Sequence, residues 1–171
     1  MDHEIFQMDL DQHRLQLREL LGEYLRWANS NLGRSYGVEV DVGAMLADTM
    51  AKLDAFMPPH GSMLLVRAGD ALAGCAGLTG DGGEAVEVKR MYVRPEHRRK
   101  GLGKALLEAL IAQARALGYA RIRLDSAGFM SQAHALYRAA GFTPIEPYAE
   151  SEIPSSLWEH WVFMELDLRR S

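Results

Sequence analysis

E-V-K-R-M-Y-V-R-P-E-H-R-R-K-G-L-G-K-A-L-L-E-A-L, residues 87–110, is the stretch on which the reading of this chain turns. Residues 87–93 are rich in branched and aromatic side chains and read as a strand. A turn follows at Arg94-Pro95-Glu96, then a basic loop carrying Gly101 and Gly103 that runs unbroken into a helix. Leu102, Leu106 and Leu110 recur every four residues and Leu117 continues the stripe, which is the spacing of one helix face. A strand feeding a glycine loop at a helix start is a physical device for holding phosphate. The first amides of a helix lack internal partners, and the summed peptide dipoles place partial positive charge there. Glycine at such a start lets a ligand come close to the main chain.

Working outward, residues 61–66 read as a strand, 67–70 as a hairpin turn and 71–79 as the partner strand. A glycine-rich turn at 80–83 leads into the strand at 87, so three strands form an antiparallel meander. The helix after Gly101 should end at Gly118. Residues 119–125 form the next strand, and the intervening helix lets it lie parallel to 87–93 as a right-handed crossover. Ser131 should cap a short helix ended by Gly141, with Phe142 folding back onto Leu136 and Tyr137. Residues 142–148 read as a strand, 150–159 as a loop and 160–168 as the last strand. Upstream, residues 4–8 read as a short strand. Asp9 offers an N-cap with Gln12 as its capping-box partner, opening a long amphipathic helix that should end near 31–33. Asp41 should cap a second helix with an apolar face of Leu46, Met50, Leu53 and Met57, stopped by Pro58-Pro59.

The 171 residues, 48% hydrophobic and 25% charged, suit one domain spanning 1–171. A net charge of −4 argues against general attraction to nucleic acid or acidic lipid, so the basic run from Arg94 to Lys104 implies a local ligand. The lone cysteine, Cys75, allows no intramolecular disulfide and points to a reducing compartment. No leader and no long apolar run are visible, so a cytoplasmic protein without membrane contact is expected. The six histidines form no cluster with metal-ligand spacing, and no metal is expected. Cys75 reads as a small buried hydrophobe rather than a nucleophile.

Two motifs, in order, carry a family resemblance. Arg98-Arg99-Lys100-Gly101-Leu102-Gly103 is similar to the Arg/Gln-x-x-Gly-x-Gly/Ala loop of the GNAT superfamily of acyl-CoA-dependent N-acyltransferases, and Ala135-Leu136-Tyr137 with Ala140-Gly141-Phe142 is similar to that family's late helix. The resemblance spans residues 61–168. It implies an α+β fold: a mixed, mostly antiparallel sheet of six to seven strands, helices on both faces, and splayed parallel central strands. It implies acetyl-CoA as co-substrate, its diphosphate held by the loop amides and basic side chains of Arg98, Arg99, Lys100, Gly101, Leu102, Gly103 and Lys104. The pantetheine arm would pair with the main chain of Met91, Tyr92 and Val93, where a free amide can polarise the thioester carbonyl.

Acyl transfer to an amine needs a group to take the amine proton, because a lysine-like amine has a pKa near ~10.4 and is mostly protonated at neutral pH. Glu87 and Asp125, on adjacent strands, are the two candidate bases, with Glu87 slightly favoured. The resemblance assigns Tyr137 as the acid that protonates the leaving sulfur; ordinary thiol and phenol pKa values of ~8.5 and ~10 are near enough for that transfer. The expected reaction is acetyl transfer to a primary amine in a ternary complex, with a small-molecule acceptor. The alternatives are a protein N-terminal or lysine acetyltransferase and a non-catalytic coenzyme-A sensor. Acidic residues and aromatics near the last hairpin (Glu146, Glu150, Glu152, Glu159, Tyr148, Trp158, Trp161) read as an acceptor rim, as a homodimer seam or as a solvated loop. Family members with a similar K-R-M-Y-V-R-P segment often carry Asn-Pro in that loop. Here Ile153-Pro154 stands with Glu152 before it, so the acceptor pocket is expected to differ.

Overall fold

The computed structural model describes residues 2–170. Strand β1 (His3–Gln7) leads into helix α1 (Leu10–Tyr36), helix α2 (Val42–Ala51) and a 3₁₀ turn at Leu53–Phe56. The meander follows as β2 (Ser62–Ala68), β3 (Ala71–Thr79) and β4 (Ala85–Val93). Helix α3 (Leu102–Ala116) crosses to β5 (Arg121–Ala127). Helix α4 (Ser131–Ala139) then precedes a short β6 (Thr143–Pro144), a 3₁₀ turn at Ser155–His160 and β7 (Trp161–Asp167). Among the described residues seven strands form one sheet in the order β1-β2-β3-β4-β5-β7-β6. All neighbours are antiparallel except β4 and β5, which are parallel.

The two faces bury different helices because the chain's periodicities point to both. The α3 stripe of Leu102, Leu106 and Leu110 packs on Val86 and Val88 of β4 and Ile122 and Leu124 of β5, with Tyr137 of α4 in the same cluster. On the other face Leu17, Leu20 and Leu21 of α1 meet Met63, Leu65, Cys75 and Tyr92, with Leu53 and Phe56 alongside. Strand alternation therefore turns Glu87 and Asp125 away from α3 and toward the α1 face.

Strands β4 and β5 pair only at Ala85–Arg121, Val86–Ile122 and Glu87–Arg123. Beyond Glu87 each keeps its outer neighbour instead. Tyr92 and Val93 pair with Cys75 and Gly74 of β3, and β5 pairs with β7 along its whole length. The pairing of β4 with β3 slips by a residue between Cys75 and Gly77, opposite Arg90, whose φ is +57°. A bulge here bends β4 and increases its twist, so the inner edges of the two strands diverge into a V.

Several element boundaries differ from the sequence reading. Helix α1 continues past 31–33 to Tyr36, carrying Gly33 inside it because Leu32 is buried, and stops at Gly37 in the left-handed region (φ +67°). Asp9 caps the amides of Asp11 and Gln12, but its own N–H donates to His13 Nδ1 (3.0 Å) rather than to the Gln12 side chain. Helix α2 ends at Ala51, ahead of the prolines. The 3₁₀ turn then seats Phe56 on Gly77, where an added Cβ would lie 2.5 Å from the ring. Strand β5 begins at Arg121 because Tyr119 turns inward to donate to the His60 carbonyl (2.6 Å). Ser131 is the first residue of α4 and not its cap; Met130 holds that position without a side-chain bond to the helix amides. The strand expected at 142–148 shrinks to Thr143–Pro144, because Pro144 and Pro147 offer no amide to a ladder.

Candidate active site

The glycine loop is built by backbone shape. Gly101 occupies the N-cap of α3 at φ +80°, and Arg99 also has positive φ (+59°). The first helical bond runs from Ala105 N–H to the Gly101 carbonyl (3.0 Å), and the amides from Arg99 to Lys104 donate to no protein acceptor among the described residues. A row of free amides at the positive end of a helix dipole can take a diphosphate. Space permits it: nothing lies within 4 Å of where a Gly101 Cβ would stand. The Arg98 side chain is engaged elsewhere. Its Nε donates to the Val93 carbonyl (2.8 Å), and its guanidinium lies over the rings of Trp27 (4.8 Å) and Tyr92 (5.5 Å). Tyr92 is buried against Tyr24 and Trp27. Of the residues expected to hold the cofactor, Arg98 and Tyr92 thus have side chains that brace the loop against α1. Arg94 adds to the brace by clasping Glu23 of α1 through two bonds of 2.9 and 2.8 Å.

The open edge of β4 faces the V. Arg94 N–H donates to Ala73 on β3 (2.8 Å), so by alternation the Val93 amide points to the opposite edge, into the gap. Tyr137 reaches the same edge from α4, its hydroxyl donating to Met91 Sδ (3.7 Å). A thioether is a weak acceptor, so that hydroxyl is readily redirected. Burial pushes the Tyr137 phenol up from its ordinary value, with Tyr24 and Asp125 nearby adding to the rise.

The two carboxylates meet on the α1 side of the V. Burial raises the Glu87 carboxyl from 4.5 to about 7, with Lys89 working against the rise and Asp125 and Glu152 with it. Tyr148 O–H donates to Glu87 Oε2 (3.4 Å) and Lys89 Nζ lies 4.0 Å from the same oxygen. Asp125 is also pushed up by burial, against the pull of a hydrogen bond from Ser151 Oγ (2.9 Å). Tyr24 of α1 joins them. Burial lifts its phenol to about 12, with the Arg90 charge opposing.

The bulge places Lys89 and Arg90 in succession on this side. Arg90 Nη1 donates to Glu152 Oε1 (2.7 Å) and Nη2 to Oε2 (3.3 Å), while Nε and Nη2 donate to Thr49 Oγ1 of α2 (3.3 and 3.1 Å). Lys89 Nζ reaches Glu152 Oε2 at 3.5 Å. Burial alone would raise Glu152, but the hydrogen bonds and charge of Arg90 prevail and hold it below the usual carboxylate range.

Residues 29–142 match the family model described as "Acetyltransferase (GNAT) family". The chain belongs to the GNAT acetyltransferase family. An uncharacterized N-acetyltransferase of Schizosaccharomyces pombe is 34% identical over 168 residues, covering 95% of this chain and 90% of the relative. An IAA acetyltransferase of Azospirillum brasilense is 35% identical over 101 residues, covering 56% of this chain and 65% of that one. The crystal structure of the PaiA N-acetyltransferase from Thermoplasma acidophilum, in complex with coenzyme A, superposes with a TM-score of 0.73 at 18% identity, over 98% of this chain and 99% of that one. This GNAT chain is an acetyl-CoA-dependent N-acetyltransferase.

The acetyltransferase also holds residues that sequence reading did not place in the site: Tyr24, Thr49, Lys89, Arg90 and Ser151. Two adjacent basic residues inside an otherwise alternating strand, Lys89-Arg90, are the one trace the bulge leaves in the sequence. No helix of the described residues is long and apolar enough to cross a membrane.

Proposed function

We propose that the chain transfers the acetyl group of acetyl-CoA to a primary amine of a small molecule, by direct attack in a ternary complex. One observation carries this reading: a carboxyl held near pKa 7, Glu87, stands at the last paired rung of the V, with the free-amide loop at the open end of the same strand. Acetyl-CoA supplies the acyl group already activated as a thioester. The amides from Arg99 to Lys104 hold its diphosphate, with Lys100 and Lys104 adding charge. The main chain of Met91, Tyr92 and Val93 aims its arm along the V, and the Val93 amide polarises the carbonyl.

Glu87 removes the proton of the acceptor ammonium. The neutral nitrogen then forms its bond to the acyl carbon as the carbon–sulfur bond breaks; its second proton passes to the departing thiolate, giving the amide and the coenzyme A thiol, and the first proton leaves Glu87 for solvent. A base with a pKa near the working pH suits that task. Asp125, pushed up but held by Ser151, shares the negative field and is the second candidate. Tyr137 donates a hydrogen bond to the departing sulfur. Burial widens the gap between its phenol and an ordinary thiol at ~8.5. Its role is therefore to stabilise the leaving thiolate rather than hand over its proton outright. Cys75 is fully buried, its thiol pushed up by burial to about 12 and bonded to the Arg90 carbonyl (3.2 Å). It is no nucleophile, which favours direct attack over an acyl-enzyme.

A small acceptor is favoured because the segment bearing Ser151 and Glu152 is tied over the carboxylates, to Asp125 on one strand and to Arg90 on another. The Azospirillum brasilense relative, an IAA acetyltransferase by name, points the same way. The test is thiol release from acetyl-CoA with a panel of small amines and a panel of lysine and N-terminal peptides. Small amines should turn over with peptides at background. Turnover of peptides alone would make the chain a protein acetyltransferase, and tight coenzyme A binding with no release from any acceptor would make it a sensor.

A further inference from the structure

Resting on that reading of the site, we propose that the acceptor is an amino acid, or another amine carrying a carboxylate on a neighbouring carbon. Arg90 with Lys89 is its carboxylate receptor, and Glu152 fills that receptor when no acceptor is bound.

The receptor is preorganised. Arg90 stands on the bulge at φ +57°, a conformation that few residues other than glycine adopt. Its guanidinium, with the side chain 12% exposed, is gripped along one edge by Thr49 Oγ1, which leaves Nη1 and Nη2 as a fork directed at one carboxylate. A planar fork on a rigid strand is the arrangement that recognises carboxylate in two-point fashion.

The group now in the fork comes from a different kind of element. Glu152 sits on the irregular segment between β6 and the 3₁₀ turn at Ser155–His160, and its side chain is 36% exposed. The receptor is fixed from within by sheet and helix, whereas its partner is loop-borne and borders solvent. Exchanging one carboxylate for another leaves no buried guanidinium unpaired at the end. The large penalty for breaking such a pair therefore does not apply to the exchange.

The position also fits the chemistry of one acceptor class. Lys89 Nζ touches both carboxylates, at 3.5 Å from Glu152 and 4.0 Å from Glu87. The place where Glu152 holds its carboxylate is therefore a single ammonium's reach from the candidate base. An acceptor whose carboxylate took that place would bring an amine on the adjacent carbon to Glu87, while a long diamine would not need Arg90 at all.

Glycine, L-alanine and L-phenylalanine are each to be compared with the corresponding amide and the decarboxylated amine, reading thiol release from acetyl-CoA. The amide's amine is the weaker base and is more often unprotonated, so solution reactivity alone favours the amide. The expected result is a kcat/KM about tenfold or more higher for the free acid than for either analogue of at least one set. Arg90→Lys should collapse that ratio toward one. Glu152→Gln, which removes the competing charge, should lower KM for the acid several-fold relative to KM for the amine. Thermal melts of both variants establish that they fold. Amides or plain amines used as well as the acids, or Glu152→Gln leaving the acid-to-amine ratio of KM where it was, would overturn the assignment while leaving the acetyltransferase reading intact. Preference for a polyamine such as spermidine would overturn it in the same way. An enzyme inert to every amine would overturn both.

Discussion

The glycine loop and the carboxylate pair stand on the same two strands, yet they are assembled in opposite ways. The loop takes its amides from consecutive residues, Arg99 to Lys104, and presents them with Arg99 and Gly101 in the left-handed region. The acceptor side gathers Glu87 and Arg90 from β4, Asp125 from β5, Tyr24 from α1, Thr49 from α2 and Tyr148, Ser151 and Glu152 from the stretch before β7. The family match follows that division only in part, since it also takes in Thr49, Glu87, Arg90 and Asp125 of the acceptor side. It covers residues 29–142, which hold the loop and Tyr137, and ends before Tyr148, Ser151 and Glu152. A ligand held by main chain can be bound by a short contiguous motif. A ligand distinguished by side chains needs groups brought together by the whole fold.

The largest effect that would break this contrast belongs to the loop. Gly101→Val puts a β-branched residue at φ +80° and a methyl pair over the free amides. We expect kcat/KM for acetyl-CoA to fall by about 100-fold or more, with coenzyme A binding lost in calorimetry and the melting temperature lowered only modestly. Intact binding in a folded Gly101→Val protein would show that the loop does not act through its backbone.

Next come the two candidate bases. Glu87→Gln should lower kcat by about 10²-fold or more, within the range of a lost general base. The parent's rate should rise with pH around a midpoint near 7, because the carboxyl that must be ionised is raised to about 7. If that rise survives in Glu87→Gln and vanishes in Asp125→Asn, the roles are exchanged. The same shift acts on stability, with a definite sign. As pH climbs from 4.5 to about 7 the unfolded chain releases this proton first, so the folded state binds more protons and stability falls across that window. Glu87 contributes at most about 3 kcal/mol to that loss. Glu87→Gln should therefore match the parent near pH 4 and exceed it at pH 8 in chemical denaturation.

Much of the first region could be read from the residues in order, and little of the second. The strand 71–79 and the helix opening at Leu102 appear as expected because their signals are local: turn residues at their ends and a leucine every four positions. The divergence of β4 from β5 was legible only through resemblance, since no local signal opens two parallel strands. Arg90's left-handed backbone had no glycine to announce it. What holds it is the bond to Thr49, 41 residues away, and to Glu152, 62 residues away. The same distance effect hides Tyr24, since nothing local on α1 signals that it will meet Arg90 and Asp125. The short β6 differs for the opposite reason: Pro144 and Pro147 are a local signal against a strand running through 142–148.

A smaller effect sharpens the boundary between the halves. Tyr137→Phe removes only the hydroxyl, leaving the ring packed on Phe142 at 5.7 Å. Stabilisation of a leaving thiolate by one hydrogen bond predicts about a tenfold loss in kcat, with KM for acetyl-CoA unchanged. The loss should not depend on pH, because burial keeps the phenol protonated throughout the working range. A KM effect instead would make Tyr137 a binding residue of the loop side.

The smallest effect concerns Arg98, which lies in the loop motif yet directs its side chain away from the loop. Lysine at this position keeps the positive charge but has no planar face for Trp27 and Tyr92 and no Nε–H for the Val93 carbonyl. If Arg98 met diphosphate as a charge, Arg98→Lys would bind acetyl-CoA as the parent does. If it braces the end of β4 against α1, the variant loses one hydrogen bond and a stacked cation, together about 1 kcal/mol or somewhat more. That predicts a melting temperature lower by about 2–4 °C for a chain of this size, and a KM for acetyl-CoA raised by about three- to tenfold with kcat nearly constant. The salt dependence of KM separates the two roles further, because a direct ion contact with the ligand weakens with added salt, whereas a half-buried brace held by stacking and a hydrogen bond is far less sensitive. Parent and Arg98→Lys should share one salt slope, whereas Lys100→Gln, which removes an exposed charge from the loop itself, should flatten it. An unchanged KM in Arg98→Lys would return this arginine to the phosphate, and the loop would then owe its hold on the ligand to side chains as much as the acceptor side does.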